Sequence, residues 1–206
     1  MPEIIIFILE LLGTAAFAVS GAMIALNKKM DIFGVAILGV TTAVGGGIIR
    51  DLILGNTPPT TFKNPIYALL AITVSLILFV PYIRTLLSKK QAVFDYVLLI
   101  ADSLGLAVFT VIGISAAADF KNWFLLIFVG VITGVGGGVL RDVLAGYTPY
   151  IFVKHFYATA SLIGAVITVF MQKVIDSTYA MVIGAVCIFV LRICAAHFRW
   201  RLPKAK

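Results

Sequence analysis

Residues 41–59, TTAVGGGIIRDLILGNTPP, place three consecutive glycines and an Arg-Asp pair inside an otherwise apolar run. A closely similar segment, ITGVGGGVLRDVLAGYTPY, occupies residues 132–150. The glycines, the Arg-Asp pair and the downstream glycine and proline all recur 91 residues later, as from Gly45 to Gly136. This recurrence indicates that the chain contains two copies of one structural unit, whose matching residues are called repeat mates below.

The composition is that of an integral membrane protein. Hydrophobic residues make up 62% of the 206 residues and charged residues 12%, and the mean hydropathy is +1.12. A soluble domain needs more polar surface than this chain provides. The start, Met-Pro-Glu, lacks the basic region of a signal peptide, so the first apolar segment is expected to be a retained helix.

Long apolar segments alternate with short polar connectors, and each segment is close to the roughly 20 residues that span a bilayer. Only α-helices satisfy so much backbone in lipid at this length, because barrel strands are about half as long and alternate in polarity. The pattern predicts an all-α membrane protein with seven transmembrane helices. The predicted spans are residues 4–26, 32–55, 64–87, 94–117, 123–146, 155–173 and 179–198.

The basic residues at the connectors predict the orientation in the cell (inner) membrane. The positive-inside rule assigns the side with more Lys and Arg to the cytoplasm, so the N-terminus is expected outside and the C-terminus inside. The net charge of +7 is then a topology signal facing lipid headgroups, and nucleic acid is not expected as a partner. The richer side carries Lys28, Lys29, Arg84, Lys89, Lys90, Lys154, Arg199, Arg201, Lys204 and Lys206, and the other side Lys63, Lys121 and Lys173.

The repeat extends over three helices. Upstream of the motif Gly13 matches Gly105, and downstream Tyr67 matches Tyr157. Because three is odd, the second copy enters the membrane upside down, which predicts two inverted three-helix repeats plus a seventh helix. Such repeats are typical of transporters and channels with a site at the membrane midplane. The predicted units are residues 1–90, residues 91–175, and residues 176–206 for the seventh helix and basic tail.

The glycine triplets fall near the middle of the second and fifth predicted helices. Each glycine costs about 1 kcal/mol relative to alanine in a helix, so helices 2 and 5 are expected to kink or break at GGG. Freed backbone at this depth is tolerated only against protein or water, which favours a hydrated path. Close packing of helices through small residues is the alternative. The predicted hinge residues are Gly45, Gly46, Gly47, Gly136, Gly137 and Gly138.

Three threonines precede the glycines by about one helical turn. Their hydroxyls either face water in the path or bond the carbonyls of their own helix, and the sequence leaves both readings open. These candidate pore residues are Thr41, Thr42 and Thr133.

Charged side chains at membrane depth need partners, because an unpaired arginine costs several kcal/mol there. Neighbours on a helix point about 100° apart, so neither motif arginine is expected to pair with the aspartate that follows it. Two acids that are repeat mates lie at matching depths, and we predict that each pairs with one arginine. Each resulting cluster has two carboxylates and one guanidinium and would favour cations, although a purely structural role is the alternative. The outer cluster is Glu10, Arg50 and Asp51, and the inner cluster is Asp102, Arg141 and Asp142.

The remaining polar residues show no pattern of catalysis or metal binding. GGG lacks the Lys-Ser/Thr of a phosphate loop, and no Ser/His/Asp arrangement recurs. We therefore predict a protein that is not an enzyme, has no cofactor and has no structural or catalytic metal site. Arg192, near the cytoplasmic end of the last helix, is expected either to snorkel or to join an oligomer contact.

The doubled motif, GGGIIRD and GGGVLRD on the second and fifth of seven helices, resembles the prokaryotic members of the trimeric intracellular cation (TRIC) channel family. The resemblance covers nearly the whole chain. It implies a homotrimer in a lipid membrane, in which each protomer has its own pore lined by the glycine-kinked helices 2 and 5. It further implies permeation of potassium or other monovalent cations, with the two triplets as kinks and the Arg-Asp pairs as motif charges.

A second function stays open. Inverted repeats with broken helices are equally the architecture of secondary transporters. Bacterial sequences of this type are also associated with glycine transport. The alternative prediction is therefore a secondary transporter of a small zwitterion such as glycine.

Overall fold

The computed structural model describes residues 3–88, 91–153 and 156–200, and these residues fold into helices joined by short connectors. Lys89, Lys90, Lys154, Arg201, Lys204 and Lys206, used above for orientation, lie outside the described residues. The helices are α1 Glu3–Asn27, α2 Ile32–Ile53, α3 Thr60–Lys63, α4 Ile66–Phe79, α5 Pro81–Ser88, α6 Gln91–Ala116, α7 Trp123–Leu144, α8 Tyr150–Val153, α9 Tyr157–Met171 and α10 Ser177–His197, with a 3₁₀ turn at Ala118–Phe120.

Five helices in the described part of the chain are long and apolar enough to cross a membrane, namely α1, α2, α6, α7 and α10. The chain is thus an all-helical, multi-pass membrane protein. Two further apolar helices, α4 and α9, are shorter, with 14 and 15 residues. A total of seven spans stays a prediction that depends on these two helices.

The third predicted span, residues 64–87, is divided in the structure. α4 ends at Phe79 and α5 begins at Pro81. Val80 between them has an extended backbone with ψ 129°, because a residue before proline is sterically kept out of the helical region. The prediction of one continuous helix here was therefore wrong, and Pro81 was the signal for the division.

α2 and α7 remain helical through their glycine triplets. The break that the sequence analysis considered is absent from both helices. A kink without a break stays a prediction. Contacts with neighbouring helices hold the glycines in helical conformation despite their low intrinsic propensity.

α2 and α7 cross at the centre of the protein with their backbones in contact. A Cβ on Gly46 would collide with the carbonyl oxygen of Thr133, and a Cβ on Gly137 would collide with the carbonyl oxygen of Thr42. Gly46 and Gly137 are repeat mates, and so are Thr42 and Thr133, so each of these two contacts is the repeat equivalent of the other. Reciprocal contacts of this kind are those expected around a two-fold axis. Thr42 contacts Gly137, and Gly46, four residues later on α2, contacts Thr133, four residues earlier on α7. The two helices therefore run antiparallel.

The other helices surround this crossing. α1 packs on α2, α4 and α6, while α6 also packs on α7 and α10. Where α1 meets α6, the rings of Phe17 and Phe109, which are repeat mates, stack with centroids 5.4 Å apart. α10 packs on α6 and α9, outside the predicted repeats, and covers the second half of the molecule. The predicted boundaries between the units, at residues 90 and 175, stay predictions.

Candidate functional site

Each motif arginine forms an ion pair with the aspartate that follows it. Nε of Arg50 donates to Oδ1 of Asp51 at 2.8 Å. Nε of Arg141 donates to Oδ1 of Asp142 at 2.9 Å, and all four side chains are buried. The expectation that these neighbours would not pair was wrong. An arginine side chain is long enough to fold back across the helix surface, so the 100° between adjacent Cβ directions does not prevent the contact.

The second carboxylate oxygen of each motif aspartate holds the connector that follows. Oδ2 of Asp51 accepts the backbone N–H of Thr60 at 2.7 Å. Oδ2 of Asp142 accepts the backbone N–H of Tyr150 at 2.8 Å. Thr60 and Tyr150 begin the short helices α3 and α8, where the first backbone N–H groups have no helical partner. This use of both oxygens supports the structural alternative for the aspartates, and their role in selectivity stays a prediction.

The Asp142→Asn variant tests this anchoring role. We expect it to lose about 1–3 kcal/mol of stability, because the amide weakens charge-assisted hydrogen bonds to Arg141 and Tyr150. Thermal unfolding in detergent measures the loss. The matched control is Asp119→Asn, on an exposed turn, which should stay within about 0.5 kcal/mol of wild type. Equal melting temperatures for the two variants would contradict the anchoring role.

The inner cluster is centred on Asp102 of α6. Nη1 of Arg141 donates to Oδ1 of Asp102 and to Oγ of Ser20. The Ser20 hydroxyl in turn donates to the same Asp102 oxygen at 3.3 Å. Arg141 and Ser20 have no exposed surface, and Asp102 is buried. The pair expected from matching depths is thus in contact, and α1 joins the cluster through Ser20, which sequence analysis missed because serine carries no charge.

α10 adds a second arginine to the inner cluster. Nη2 of Arg192 lies 3.9 Å from Oδ2 of Asp102, and its guanidinium lies 4.8 Å from the ring centre of Tyr157. Arg192 is only 5% exposed, so the snorkelling expected for it was wrong, while a part in an oligomer contact stays a prediction. With Arg192 the inner cluster has two guanidiniums for its two carboxylates. The excess of negative charge predicted for it is therefore absent.

The outer cluster is assembled differently. Among the described residues Arg50 forms its ion pair with Asp51 and none with Glu10. Glu10 instead accepts a hydrogen bond from the hydroxyl of Tyr67 on α4. The predicted pairing of Glu10 with Arg50 was therefore wrong, because each group is satisfied by a closer partner.

Glu10 and Arg50 both line a cavity of about 30 Å³, and this volume holds about two water molecules. Gly47, the third glycine of its triplet, borders this outer cavity, and a Cβ there would have Nη2 of Arg50 as its nearest neighbour at 4.0 Å. At its repeat mate, Gly138, a Cβ would lie 2.7 Å from the Tyr157 hydroxyl. The outer half is thus hollow where the inner half is filled. The polar lining consists of Glu10, Thr14, Arg50, Thr60, Thr61 and Tyr67.

The other predicted pore glycines pack against the opposite helix. A Cβ on Gly45 would collide with the side chain of Leu140, and a Cβ on Gly136 would lie 3.2 Å from the side chain of Ile49. Together with the contact of Gly46 and Gly137, these positions support the packing alternative. Their contribution to a pore stays a prediction.

The predicted pore threonines fall into two groups, two that are buried and one that is partly exposed. Thr42 and Thr133 are buried, and each donates its hydroxyl to a carbonyl one turn earlier on its own helix at 2.6 Å. This geometry supports backbone bonding rather than contact with water. Thr41 is partly exposed, and its contribution to a pore also stays a prediction.

Comparison with known proteins agrees with this architecture. A family model described as "Glycine transporter" matches residues 7–82 and 99–173, which fall within the two predicted repeats. The UPF0126 inner membrane protein YadS of Escherichia coli K12 is 37% identical over 97% of this chain and 95% of its own length.

Two solved structures extend the comparison. One, described as the structural basis for conductance through TRIC cation channels, has a TM-score of 0.85 at 39% identity, covering 97% of this chain and 96% of that one. The TRIC orthologue from Rhodobacter sphaeroides has a TM-score of 0.87 at 33% identity, covering 95% and 99%. The chain belongs to the TRIC channel family. The family predicted from the doubled GGGxxRD motif is therefore confirmed.

Several site residues of this TRIC protein were not among the predicted ones. Tyr67 and Tyr157 are repeat mates, so the repeat itself carried the signal that could have identified them. Arg192 lies on the helix outside the repeats, and its single charge in an apolar helix was the available signal. Thr60 and Tyr150 contribute backbone N–H groups, which no side-chain motif reveals.

Proposed function

We propose that this chain is a potassium-preferring, monovalent cation channel that forms a homotrimer with one pore in each protomer. The solved structures that it resembles are of TRIC cation channels, one of them described as trimeric. The proposed protein is a channel rather than an enzyme and needs no cofactor. Its partners are permeant cations, membrane lipids and two further copies of the chain.

The outer cavity is the observation that carries this proposal. It is lined by Glu10 and three threonines, whose side-chain oxygens we propose as ion ligands, inside an apolar membrane protein. A potassium ion is close to a water molecule in size, so the cavity accommodates an ion whose hydration shell is replaced by these oxygens. The Arg50 guanidinium, held by Asp51, limits the excess of negative charge and therefore the strength of ion binding. Weak binding is what rapid permeation requires.

The proposed entrance lies at the start of α1. Glu10 and Tyr67 line both the outer cavity and a wider groove of about 540 Å³, which Ile4, Ile6 and Phe7 also line. The hydrogen bond between Glu10 and Tyr67 would then separate the groove from the cavity. We propose that ions enter here from outside, with the N-terminus outside and the C-terminus in the cytoplasm.

The proposed path continues along α2 and α7 to the inner cluster. We propose that Gly47 and Gly138 face the path, because they border the hollow outer site and its filled inner counterpart. The other triplet glycines set the close approach of the two helices. In the present conformation Tyr157, Arg141 and Arg192 occupy the inner end, so conduction requires a rearrangement there.

A transporter of a small zwitterion such as glycine is the second candidate, favoured by the description of the matching family model. The outer cavity, with room for about two waters, favours a single ion over a larger zwitterion in this conformation. Purified protein in planar bilayers and in liposomes separates the two functions. A channel gives unitary current steps, whereas a carrier gives saturable glycine uptake with counterflow and no steps.

Glu10→Gln tests the role of the outer carboxylate. We expect potassium conductance to fall roughly threefold or more, because one negative charge is lost beside a narrow low-dielectric passage. The control is Asp119→Asn, which removes one charge from an exposed turn on the same predicted side. Single-channel recording in symmetric potassium chloride measures both. Equal conductances in a normally assembled Glu10→Gln variant would exclude Glu10 from the path.

A further inference from the structure

Asp102 divides its two carboxylate oxygens between two arginines. Oδ1 receives hydrogen bonds from Arg141 and Ser20. Oδ2 has no hydrogen-bond partner among the described residues and lies 3.9 Å from Nη2 of Arg192. That separation is an ion pair beyond hydrogen-bond distance. Arg141 therefore anchors the carboxylate, and Arg192 faces an oxygen that is free to bind another cation.

The repeat mates provide a comparison for this arrangement. At the outer site the hydroxyl of Tyr67 donates to Glu10, the repeat mate of Asp102. At the inner site Tyr157 does not use its hydroxyl in this way, and the guanidinium of Arg192 lies over its ring. Arg192 thus stands next to Asp102, whereas Glu10, the repeat mate of Asp102, borders an open cavity. Arg192 has no counterpart at the outer site, because it comes from α10, the helix outside the repeats.

We propose that Asp102 is a second site for monovalent cations and that Arg192 is a built-in counter-ion which competes with permeating cations for Oδ2. The proposal rests on the proposed channel function and assigns a regulating residue to its inner end. A guanidinium is more weakly hydrated than an ammonium, so it replaces a permeant cation inside the protein at low desolvation cost. Because the guanidinium is part of α10, it stays beside Asp102 and does not diffuse away as a free cation does.

The substitution Arg192→Gln should expose this site. The inner cluster would then hold two carboxylates and one guanidinium, as the outer cluster does, and Arg141 would still neutralise Asp102. We expect potassium conductance to rise roughly threefold, while Arg192→Lys, which keeps the positive charge on a more strongly hydrated ammonium, should raise it by less. The matched control is Arg199→Gln, which removes one charge just beyond the end of the same helix at an exposed position. It should leave conductance unchanged.

A binding measurement tests the site without relying on current. The melting temperature of detergent-solubilised Arg192→Gln should rise with potassium chloride relative to N-methyl-D-glucamine chloride, because a cation that binds only the folded state stabilises it. Wild type and Arg199→Gln should show a smaller rise. The proposal is overturned if Arg192→Gln assembles normally, conducts no more than wild type and shows no such potassium-dependent rise.

The two proposals fail in different ways. A wild-type protein without cation currents would contradict the channel function, while potassium-dependent melting of Arg192→Gln would still support cation binding at Asp102. A conducting wild type with unchanged conductance and melting in Arg192→Gln would contradict only the role of Arg192.

Discussion

The Gly46→Ala variant is expected to lose about 3 kcal/mol or more of stability, at the upper end of the usual cost of overpacking. The added methyl group would collide with the carbonyl oxygen of Thr133. A flexible side chain could turn away, but this oxygen belongs to the backbone of α7, so relief requires the two helices to separate. The measurement is thermal unfolding of the purified protein in detergent, with size-exclusion chromatography to report assembly.

The neighbouring substitution Gly47→Ala is the matched control. Its methyl group would point into the outer cavity, where Nη2 of Arg50 is the nearest atom at 4.0 Å. Alanine favours a helix over glycine by about 1 kcal/mol, so the variant should be at least as stable as wild type. Its conductance should nevertheless fall, because the cavity becomes smaller. Equal stability of Gly46→Ala and Gly47→Ala would contradict the proposed close crossing of α2 and α7.

The second large effect is expected for Asp102→Asn. This substitution keeps the shape of the side chain but leaves the buried Arg141 and Arg192 with one carboxylate fewer. Removing one partner of a buried ion pair costs about 3–5 kcal/mol, and this variant should fall in that range. The control is Asp95→Asn on the exposed beginning of the same helix, with an expected change of about 0.5 kcal/mol or less.

A double substitution tests whether Arg192 interacts with Asp102. Asp102→Asn combined with Arg192→Gln should recover part of the stability lost in Asp102→Asn, because one uncompensated cation is removed as well. Melting curves of the two single variants and the double variant complete the cycle. Losses that add without any recovery would show that the two side chains do not interact.

Most of the fold could be predicted from the sequence, because the repeated segment indicates two copies of one structural unit. The motif and its repeat mates predicted the family, and the composition predicted a helical membrane protein. The division of the third span at Pro81 was also indicated by the sequence, since proline disfavours the helical conformation of the residue before it. Whether α4 and α9 complete seven spans depends on their depth in the bilayer, which their lengths alone do not determine.

The site was less predictable, for three physical reasons. The Arg-Asp pairing was missed because the angle between adjacent Cβ directions on a helix does not account for the length of an arginine side chain. The charge of the inner cluster was misjudged because Arg192 lies on α10, and the repeat says nothing about a helix outside it. The triplets were ambiguous because glycine suits both packing and a cavity; in the structure Gly46 packs against α7 while Gly47 borders the outer cavity.

The central claim, that this chain conducts cations, is tested most directly by the reversal potential of purified protein in a planar bilayer under a potassium chloride gradient. The account predicts unitary current steps that reverse close to the potassium equilibrium potential. A reversal potential near zero or near the chloride equilibrium potential would contradict it.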